Sequence, residues 1–188
     1  MNKDTTDKKV ITSPFTNEVI NELKTGDMVY ISGVIYTARD AAHKILFEMI
    51  ERGEKMPFEF EGQAVYYAGP APAKPGKPIG SVGPTTGGRM DAYSPTLIEN
   101  GLKVMIGKGT RSDAVVDAIV KNNGVYFAAI GGAAALMAKC VISSEIVAFE
   151  ELGTEAIRRL VVNELPVVVA IDSQGDDVYK KAIEEYKQ

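Results

Sequence analysis

The chain has 188 residues and a net charge of −4, with 45% hydrophobic and 24% charged residues. This is ordinary globular usage for a single domain, and it argues against a disordered or fibrous protein. The charge gives no electrostatic reason to expect nucleic acid or an anionic membrane as a partner. Because Cys140 is the only cysteine and His43 the only histidine, an internal disulfide and an all-cysteine metal site are excluded, and a self-sufficient metalloenzyme is hard to build.

The chain begins with a polar segment. Residues 1–6 lack the apolar stretch of a secretory signal, and no apolar run approaches the roughly 20 residues that span a bilayer. We therefore expect a cytoplasmic protein that does not contact a membrane. Residues 1–13 are expected to be a frayed N-terminal segment, and residues 14–188 to form one domain.

The first half of the chain predicts strands and helices separated by turns. Apolar residues recur at helical spacing over 37–51, and β-rich runs stand at 28–31 and 64–68. Residues 17–23 predict a short helical turn. Four prolines within residues 70–78 exclude regular structure, so an extended loop is expected there.

The second half alternates between strands and helices, which is typical of an α/β domain. Residues 157–163 are ambiguous, because Val161 and Val162 favour a strand whereas the charged residues around them tolerate a helix. The other predicted elements are helices over 95–100, 112–121, 133–139 and 176–186 and strands over 103–106, 125–130, 146–149 and 167–171.

Arg39 is the first candidate site residue. Thr37 and Asp40 have the spacing of a capping box, which predicts that a helix begins at Thr37 with Arg39 in its first turn. A cation there opposes the helix macrodipole at a cost of about 0.3–1 kcal/mol, and an anionic ligand would reverse that cost. The alternative is an arginine paired with a nearby carboxylate such as Asp40.

The glycine-rich segment 83–89 is the second candidate. Its glycines let backbone N–H groups approach an anion, Thr85 and Thr86 add hydroxyls, and Arg89 offers a planar fork that matches a carboxylate. It is not a P-loop, because the Gly-Lys-Ser/Thr ending is absent, and it lacks the dinucleotide fingerprint. The alternative is a turn that binds no ligand.

Lys108 is the third candidate. It stands between Gly107 and Gly109, just before a helix that the spacing of Thr110 and Asp113 predicts. Taken alone, a solvated surface lysine is the better interpretation.

The three junctions together are more informative than any one of them. Each offers a cation and at least one hydroxyl, and ligands bind where strands end at one edge of a sheet. Arg39, Arg89 and Lys108 would together suit a small dicarboxylate, and phosphate remains an alternative.

Three further features have two interpretations each. Residues 131–135 could form a second anion cradle, but such small residues more often allow close packing. Cys140 is interpreted as a buried apolar residue rather than a nucleophile. His43 lies four residues after Arg39 on the same helical face, so it either points toward the site or makes a structural hydrogen bond.

In order and spacing, these segments resemble the C-terminal region, or separate beta subunit, of class I fumarate hydratases and L-tartrate dehydratases. The segments that carry the resemblance are 32–43, 83–91, 107–109 and 131–134. It extends from about Pro14 to Tyr179. One departure is Gly87-Gly88, where a small polar residue is expected, although the loop length is preserved.

The resemblance implies an α/β fold of the swivelling β/β/α type, a single domain with a mixed sheet and flanking helices. It also implies a hetero-oligomer in which this chain faces an alpha subunit that binds a 4Fe-4S cluster through three cysteines. The open iron site of such enzymes acts as a Lewis acid on the substrate. The cluster-free domain supplies carboxylate-binding and acid–base groups.

The resemblance also implies a role for each candidate residue. Arg39, Arg89 and Lys108 would bind the substrate carboxylates, and Thr85 would be the catalytic base with Thr86 beside it in the binding site. Because a threonine hydroxyl is a very weak acid, neighbouring cations would have to activate Thr85. Thr86 is the residue with which it could exchange roles.

The sequence therefore favours the beta subunit of a fumarate hydratase, inactive without its partner. One alternative is an L-tartrate dehydratase beta subunit, whose substrate differs by one hydroxyl. The other is a non-catalytic anion-binding or assembly module.

Overall fold

Seven strands form one mixed sheet in the part of the chain that the computed structural model describes, residues 8–129 and 133–186. The strands are β1 (Val10–Thr12), β2 (Met28–Thr37), β3 (Ala64–Tyr66), β4 (Val104–Gly107), β5 (Val125–Ala129), β6 (Val141–Ala148) and β7 (Ile157–Ile171). The helices are α1 (Asn17–Asn21), α2 (Asp40–Glu51), α3 (Ser94–Glu99), α4 (Asp113–Asn122), α5 (Ala134–Lys139) and α6 (Val178–Tyr186), with 3-10 turns at Gly87–Met90 and Glu150–Glu155. The predicted mixed sheet with flanking helices is confirmed.

The strand pairings close on themselves. β2, β3, β4 and β5 pair in that order and run parallel, and β7 pairs antiparallel with both β5 and β2. These five strands therefore form a closed ring. β1 pairs with β2 beside the ring, and β6 pairs with the first half of β7.

Alternate residues of the parallel strands contribute to two apolar clusters, as the two-residue period of a strand requires. Tyr66, Ile106 and Phe127 belong to the cluster shared with β7. Their neighbours Tyr67 and Tyr126 belong to the second cluster, which also contains the buried apolar residues of α2, α3 and α4. The three helices therefore cover one side of the parallel strands.

The parallel strands bring two of the predicted junctions, those of Arg39 and Lys108, to one edge of the sheet. The carboxyl ends of β2, β3, β4 and β5 share an edge because the strands run in the same direction. Arg39 follows β2 by two residues, and Lys108 directly follows β4. The segment after β5 includes Gly131 and Gly132 of the possible second cradle, which lie outside the described residues.

The predicted capping box at Thr37 is wrong. Thr37 is the last residue of β2, and its Oγ1 accepts a hydrogen bond from the Arg158 backbone N–H of β7 at 3.2 Å. Because β7 takes this hydroxyl, α2 begins only at Asp40, with Arg39 as an N-cap residue that makes no side-chain capping bond.

The capping role predicted for Thr110 is also wrong. α4 begins at Asp113 with Ser112 as its N-cap residue, and the Ser112 side chain makes no capping bond. The Asp91 Oδ2 atom accepts from the Ser112 backbone N–H at 2.6 Å instead. A carboxylate that is distant in sequence thus satisfies a donor beside the start of this helix.

The last strands are longer than the sequence predicts. The ambiguous residues 157–163 lie in β7, which has 15 residues and pairs with β2 on one side and with β6 and β5 on the other. β6 begins at Val141 rather than at the predicted residue 146. Most of its side chains are exposed, so it lacks the alternation of a half-buried strand.

The predicted frayed segment 1–13 is described only from residue 8 onward. Within it, Val10–Thr12 pairs with β2 as β1, so these residues belong to the sheet, and the domain boundary at residue 14 stays a prediction. Of the described helices, α2 is the longest with 12 residues, and none is long and apolar enough to cross a bilayer.

Candidate active site

Two of the three predicted cations meet on one carboxylate. Arg89 Nε donates a hydrogen bond to Asp40 Oδ1 at 2.7 Å, and Arg39 NH2 lies 3.8 Å from Asp40 Oδ2. The Arg39 side chain is 23% exposed and the Arg89 side chain 53% exposed. Asp40 opens α2 and therefore joins the first junction to the glycine-rich segment. The ion pair between Arg39 and Asp40 was one of the two interpretations of the sequence.

A second carboxylate, Glu155, lies at the start of α2. Its Oε2 atom accepts a hydrogen bond from the Ala41 backbone N–H at 2.9 Å, and its Oε1 atom lies 3.4 Å from Arg39 NH2. The chain itself thus supplies a negative charge where the helix dipole favours one. The start of α2 therefore does not by itself require an anionic ligand, which was one of the two interpretations that the sequence left open.

Three buried polar atoms around the start of α2 have no hydrogen-bond partner among the described residues. They are Arg39 Nε, Asp40 Oδ2 and His43 Nε2. Buried polar groups in folded proteins are nearly always paired. A water molecule or the polar atoms of a small ligand would supply the missing partners here.

Lys108 is joined to the threonine pair through the main chain. Gly87 N donates to Lys108 O at 2.8 Å, Lys108 N donates to Thr85 O at 3.2 Å, and Thr86 and Lys108 form an isolated parallel bridge. Thr85 N in turn donates to Tyr67 O, just beyond β3, at 2.7 Å. Thr85 is half-buried, whereas Thr86 and Lys108 are exposed. The Lys108 ammonium has no carboxylate partner in residues 8–129 and 133–186.

The expected cradle of backbone N–H groups is wrong at three positions. The N–H groups of Thr85, Gly87 and Arg89 all donate to carbonyl oxygens of this chain. Gly87 instead allows close packing, because a Cβ atom there would lie 2.5 Å from the Tyr126 hydroxyl oxygen. The side chains of Thr85 and Arg89, rather than these three N–H groups, therefore remain for a ligand.

A cleft of about 650 Å³ lies elsewhere on the domain. It is lined by the proline-rich loop, including Lys74 and Lys77, and by Lys139 and Val141 near the start of β6. None of the five candidate residues lines it. The candidate site is instead an open surface on which Thr86, Arg89 and Lys108 are exposed.

The comparison with known families decides how this surface is interpreted. Residues 1–182 match the family model described as "Fumarase C-terminus". The chain belongs to this family. The resemblance stated from the sequence is therefore confirmed.

Relatives of this member of the fumarase C-terminus family are of two lengths. "Fumarate hydratase class I, anaerobic" of Escherichia coli K12 is 41% identical over 155 residues, which are 81% of this chain and 28% of the relative. "Putative fumarate hydratase class I" of Geobacillus stearothermophilus is 36% identical over 193 residues, 97% of this chain and 37% of the relative. "Putative L(+)-tartrate dehydratase subunit beta" of Methanocaldococcus jannaschii is 38% identical over 172 residues, 88% of each chain.

The chain thus spans under a third of the length of the Escherichia coli relative. Over the family match, it corresponds to one part of the longer enzymes and to most of the separate subunit.

A 4Fe-4S cluster does not fit the residues of this fumarase C-terminus domain. Its only cysteine, Cys140, lies with Sγ 3.7 Å from Leu136 O and 3.8 Å from Glu164 O. Burial raises the pKa of the Cys140 thiol, which opposes formation of the thiolate that binds metals. The cysteine ligands of such a cluster would therefore lie outside these 188 residues.

Sequence reasoning missed several residues around the site of this family member. Gly69 leaves room for Arg39, because a Cβ atom there would lie 3.0 Å from Arg39 NH1. Arg111 is buried and bonded to Asp91. Glu155 contacts Arg39 from 116 positions away in the chain. Each contact joins residues that are distant in sequence, so no local pattern could have indicated it.

His43 makes a structural hydrogen bond rather than contacting the open surface. It is 1% exposed, and Nδ1 lies 3.0 Å from Arg39 O. Because a carbonyl oxygen only accepts, Nδ1 carries the proton. Burial lowers the pKa of His43 to about 4. The ring is therefore neutral at neutral pH.

We predict that His43 makes the domain less stable in mild acid. Between about pH 6.5 and about pH 4 the unfolded chain binds a proton at this position and the folded chain does not, so the free energy of unfolding falls as the pH falls. At about 1.4 kcal/mol per pKa unit, the loss reaches roughly 2–3 kcal/mol near pH 4.5.

Urea denaturation of the wild-type chain and His43→Gln at several pH values measures this contribution. The carboxylates titrate alike in both proteins, so the difference between them isolates His43. Equal pH dependence of the two proteins would show that His43 is accessible to protons in the folded state.

Proposed function

We propose that this chain is the beta subunit of an iron–sulfur-dependent hydro-lyase that interconverts fumarate and malate. The cluster belongs to a partner alpha subunit, and this chain contributes the residues that bind the dicarboxylate and move a proton. The two subunits form a hetero-oligomer, and the cytoplasmic location expected from the sequence is part of the same proposal. The family membership and the relatives named fumarate hydratase support this assignment.

One observation of the structure carries the proposal. Arg39 and Arg89 converge on Asp40, and the Nε donor of Arg39 is buried without a hydrogen-bond partner among the described residues. A donor left unpaired in this way is costly unless a ligand or water pairs with it. A substrate carboxylate is an acceptor of the right charge for two guanidinium groups.

Lys108 supplies a third positive charge. Its backbone is bonded to Thr85 on one side and to Gly87 on the other, so its side chain begins beside the threonine pair. Two carboxylates of a bound dicarboxylate can then be shared among Arg39, Arg89 and Lys108. The charges would also favour loss of a proton from a carbon next to a carboxylate, since negative charge develops there.

Thr85 is the proposed acid–base residue. Both its backbone N–H and its carbonyl group are hydrogen-bonded, so its side chain leaves a fixed point of the main chain. In the dehydration direction, its Oγ1 atom, deprotonated with the help of the neighbouring cations, would take the proton from the carbon next to the one that bears the leaving hydroxyl, and the hydroxyl would depart toward the Lewis acid of the partner subunit. In hydration it would return that proton. Thr86 is exposed and is proposed to contact the substrate without taking part in the chemical step.

Tartrate dehydration is the second candidate, and one observation favours it. The relative named as a putative tartrate dehydratase subunit beta is matched over 88% of its length, so it is a separate chain of similar size. Tartrate carries one hydroxyl more than malate. The described residues around Arg39 and Thr85 bind carboxylates in either substrate.

An assay of the assembled complex, under anaerobic conditions, tests the function. The complex is incubated with malate, fumarate, the tartrate stereoisomers and inorganic phosphate as a non-substrate anion control. We expect reversible hydration of fumarate with the highest kcat/KM. Faster turnover of tartrate would reassign the substrate, and a complex that turns over no hydroxy acid would indicate a non-catalytic anion-binding module.

We predict that the chain purified alone binds no stoichiometric iron or sulfide. A cubane cluster in this class draws on three protein thiolates, and this chain has one cysteine. Iron and acid-labile sulfide analysis after anaerobic reconstitution measures this directly, with Cys140→Ala as the matched control. Near four iron atoms per chain in the wild type, lost in Cys140→Ala, would contradict the assignment of the cluster to the partner.

A further inference from the structure

Arg111 is a charged residue buried beneath the candidate site. Its side chain is 0% exposed, and three of its nitrogen atoms have polar partners. Nε donates to Asp91 Oδ1 at 2.6 Å, NH2 to Ser94 Oγ at 2.7 Å and NH1 to the Tyr67 hydroxyl at 3.4 Å. The guanidinium also stacks on the ring of Tyr126, 4.8 Å from its centroid.

These partners come from different elements around the site edge. Tyr67 directly follows β3, Tyr126 lies in β5, and Asp91 follows the 3-10 turn that contains Arg89. Asp91 also holds the Ser112 backbone N–H before α4. The guanidinium group of Arg111 thus contacts residues from the strands and from the turn around the proposed site.

Arg111, Tyr67 and Tyr126 also pack beneath the glycine-rich segment 83–89 and the segment around Lys108. A Cβ atom on Gly87 would lie 2.9 Å from Arg111 Cδ, and one on Gly107 would lie 2.8 Å from the Tyr67 ring. The Tyr126 hydroxyl donates to Gly109 O at 3.2 Å. The backbone on both sides of Lys108 therefore packs on Tyr67 and Tyr126, and Gly87 packs on Tyr126 and Arg111.

Burial acts to lower the pKa of Arg111, but the nearby Tyr67 and Asp91 outweigh it and raise the pKa above the usual arginine range. The buried group is therefore charged, and its charge is balanced by Asp91. A buried charged pair constrains its neighbours strongly, because a shift of either member leaves a charge unpaired.

We propose that Arg111 is a positioning residue for the reaction, which sets the geometry of Thr85 and Lys108 without touching the substrate. This inference rests on the proposed function. Lysine cannot replace arginine here, because one ammonium group cannot reproduce the planar fork that reaches Asp91, Ser94 and Tyr67 while stacking on Tyr126.

Kinetics of Arg111→Lys in the assembled complex are the first test. We expect kcat to fall by about tenfold or more, since small displacements of catalytic groups have effects of this size or larger. In the Thr85→Val background, the further fall in kcat caused by Arg111→Lys should be several-fold smaller than in the wild type, because part of the effect of Arg111 acts through Thr85. Wild-type kcat, or an equal loss in both backgrounds, would overturn the proposal.

Two further variants complete the kinetic test. Asp91→Asn is isosteric, removes the charge paired with Arg111, and gives the same test if Arg111→Lys does not assemble. Arg52→Lys is the matched control, because Arg52 bonds Glu54 on the exposed surface at the end of α2. We expect Arg52→Lys to retain wild-type kcat and KM.

Amide hydrogen exchange supplies a measurement that does not depend on activity. In Arg111→Lys and Asp91→Asn, peptides covering residues 84–90 and 106–110 should exchange about tenfold faster than in the wild type. Peptides from the β2–β7 ladder should be unchanged. Unchanged exchange at the site, or equal acceleration everywhere, would overturn the positioning role.

The two proposals fail in different ways. If the wild-type complex turns over no dicarboxylate, the proposed function is wrong, and hydrogen exchange still decides whether Arg111 positions these segments. If the wild-type complex is active and the variants match it, only the role of Arg111 is wrong.

Discussion

Thr85→Val is expected to lower kcat of the assembled complex by about 100-fold or more, with a comparatively small change in KM. Valine preserves the shape of threonine and removes only the hydroxyl. The Thr85 backbone is hydrogen-bonded to Tyr67 and Lys108, so the substitution leaves the main chain in place. Steady-state kinetics of the complex, after assembly is verified by size-exclusion chromatography, measures the effect.

Thr86→Val is the matched control for this prediction. Thr86 is the exposed neighbour on the same segment, and loss of a hydroxyl that only binds the ground state raises KM at nearly constant kcat. A large loss of kcat in Thr86→Val alone would exchange the roles of the two threonines. Small effects in both variants would remove threonine from the chemical step and return the acid–base role to the partner subunit, since His43 is buried on the Arg39 carbonyl.

Arg89→Lys is expected to lower kcat/KM by about 5- to 150-fold although the charge is retained. Arg89 uses Nε to bind Asp40, which leaves the two terminal nitrogens of its fork for a substrate carboxylate. A lysine ammonium can pair with Asp40 or with the substrate but cannot keep both geometries. The loss of a charged hydrogen bond corresponds to about 1–3 kcal/mol, from which this range follows.

The control for Arg89→Lys is a second exposed arginine that is also paired with a carboxylate. Arg52→Lys replaces another exposed arginine that is bonded to a carboxylate, Glu54, away from the site. It should leave kcat/KM unchanged. Wild-type kcat/KM in Arg89→Lys would show that Arg89 does not bind a substrate carboxylate.

The arrangement of the elements was predictable because their signals are local. Helical spacing over 37–51 and the strand-like runs near 64–68 and 103–106 correspond to α2, β3 and β4. The grouping of Arg39, Arg89 and Lys108 was expected on the condition that their junctions lie at one edge of a sheet, where ligands bind at strand ends. The structure brings these residues together through Asp40 and through the bridge between Thr86 and Lys108.

The details that could not be predicted depend on contacts between distant residues. Thr37 has the spacing of a cap, but its hydroxyl accepts from Arg158 on β7, which no pattern near residue 37 can show. Residues 157–163 are a strand because β2 and β6 pair with them on both sides. Glu155 supplies the negative charge at the start of α2, whereas the sequence near the helix offered only Asp40 or a ligand for that charge.

The contacts within the candidate site also join residues that are distant in sequence. Asp40 and Arg89 are 49 positions apart, and Asp91 and Arg111 are 20 apart. An arginine in a loop is ordinarily exposed, so burial of Arg111 follows only from the packing of Tyr67 and Tyr126 around it. The candidate ligand-binding residues were therefore easier to predict from the sequence than the residues that pack beneath them.

The central claim is that this chain completes an active site whose cluster lies in another subunit. Titrating the purified chain into its reconstituted, cluster-bearing partner under anaerobic conditions, with malate dehydration as the readout, tests it most directly. We expect neither subunit alone to be active, and activity to rise to a plateau at a fixed molar ratio. Full activity of the partner alone, or an assembled complex without activity toward any dicarboxylate, would contradict the claim.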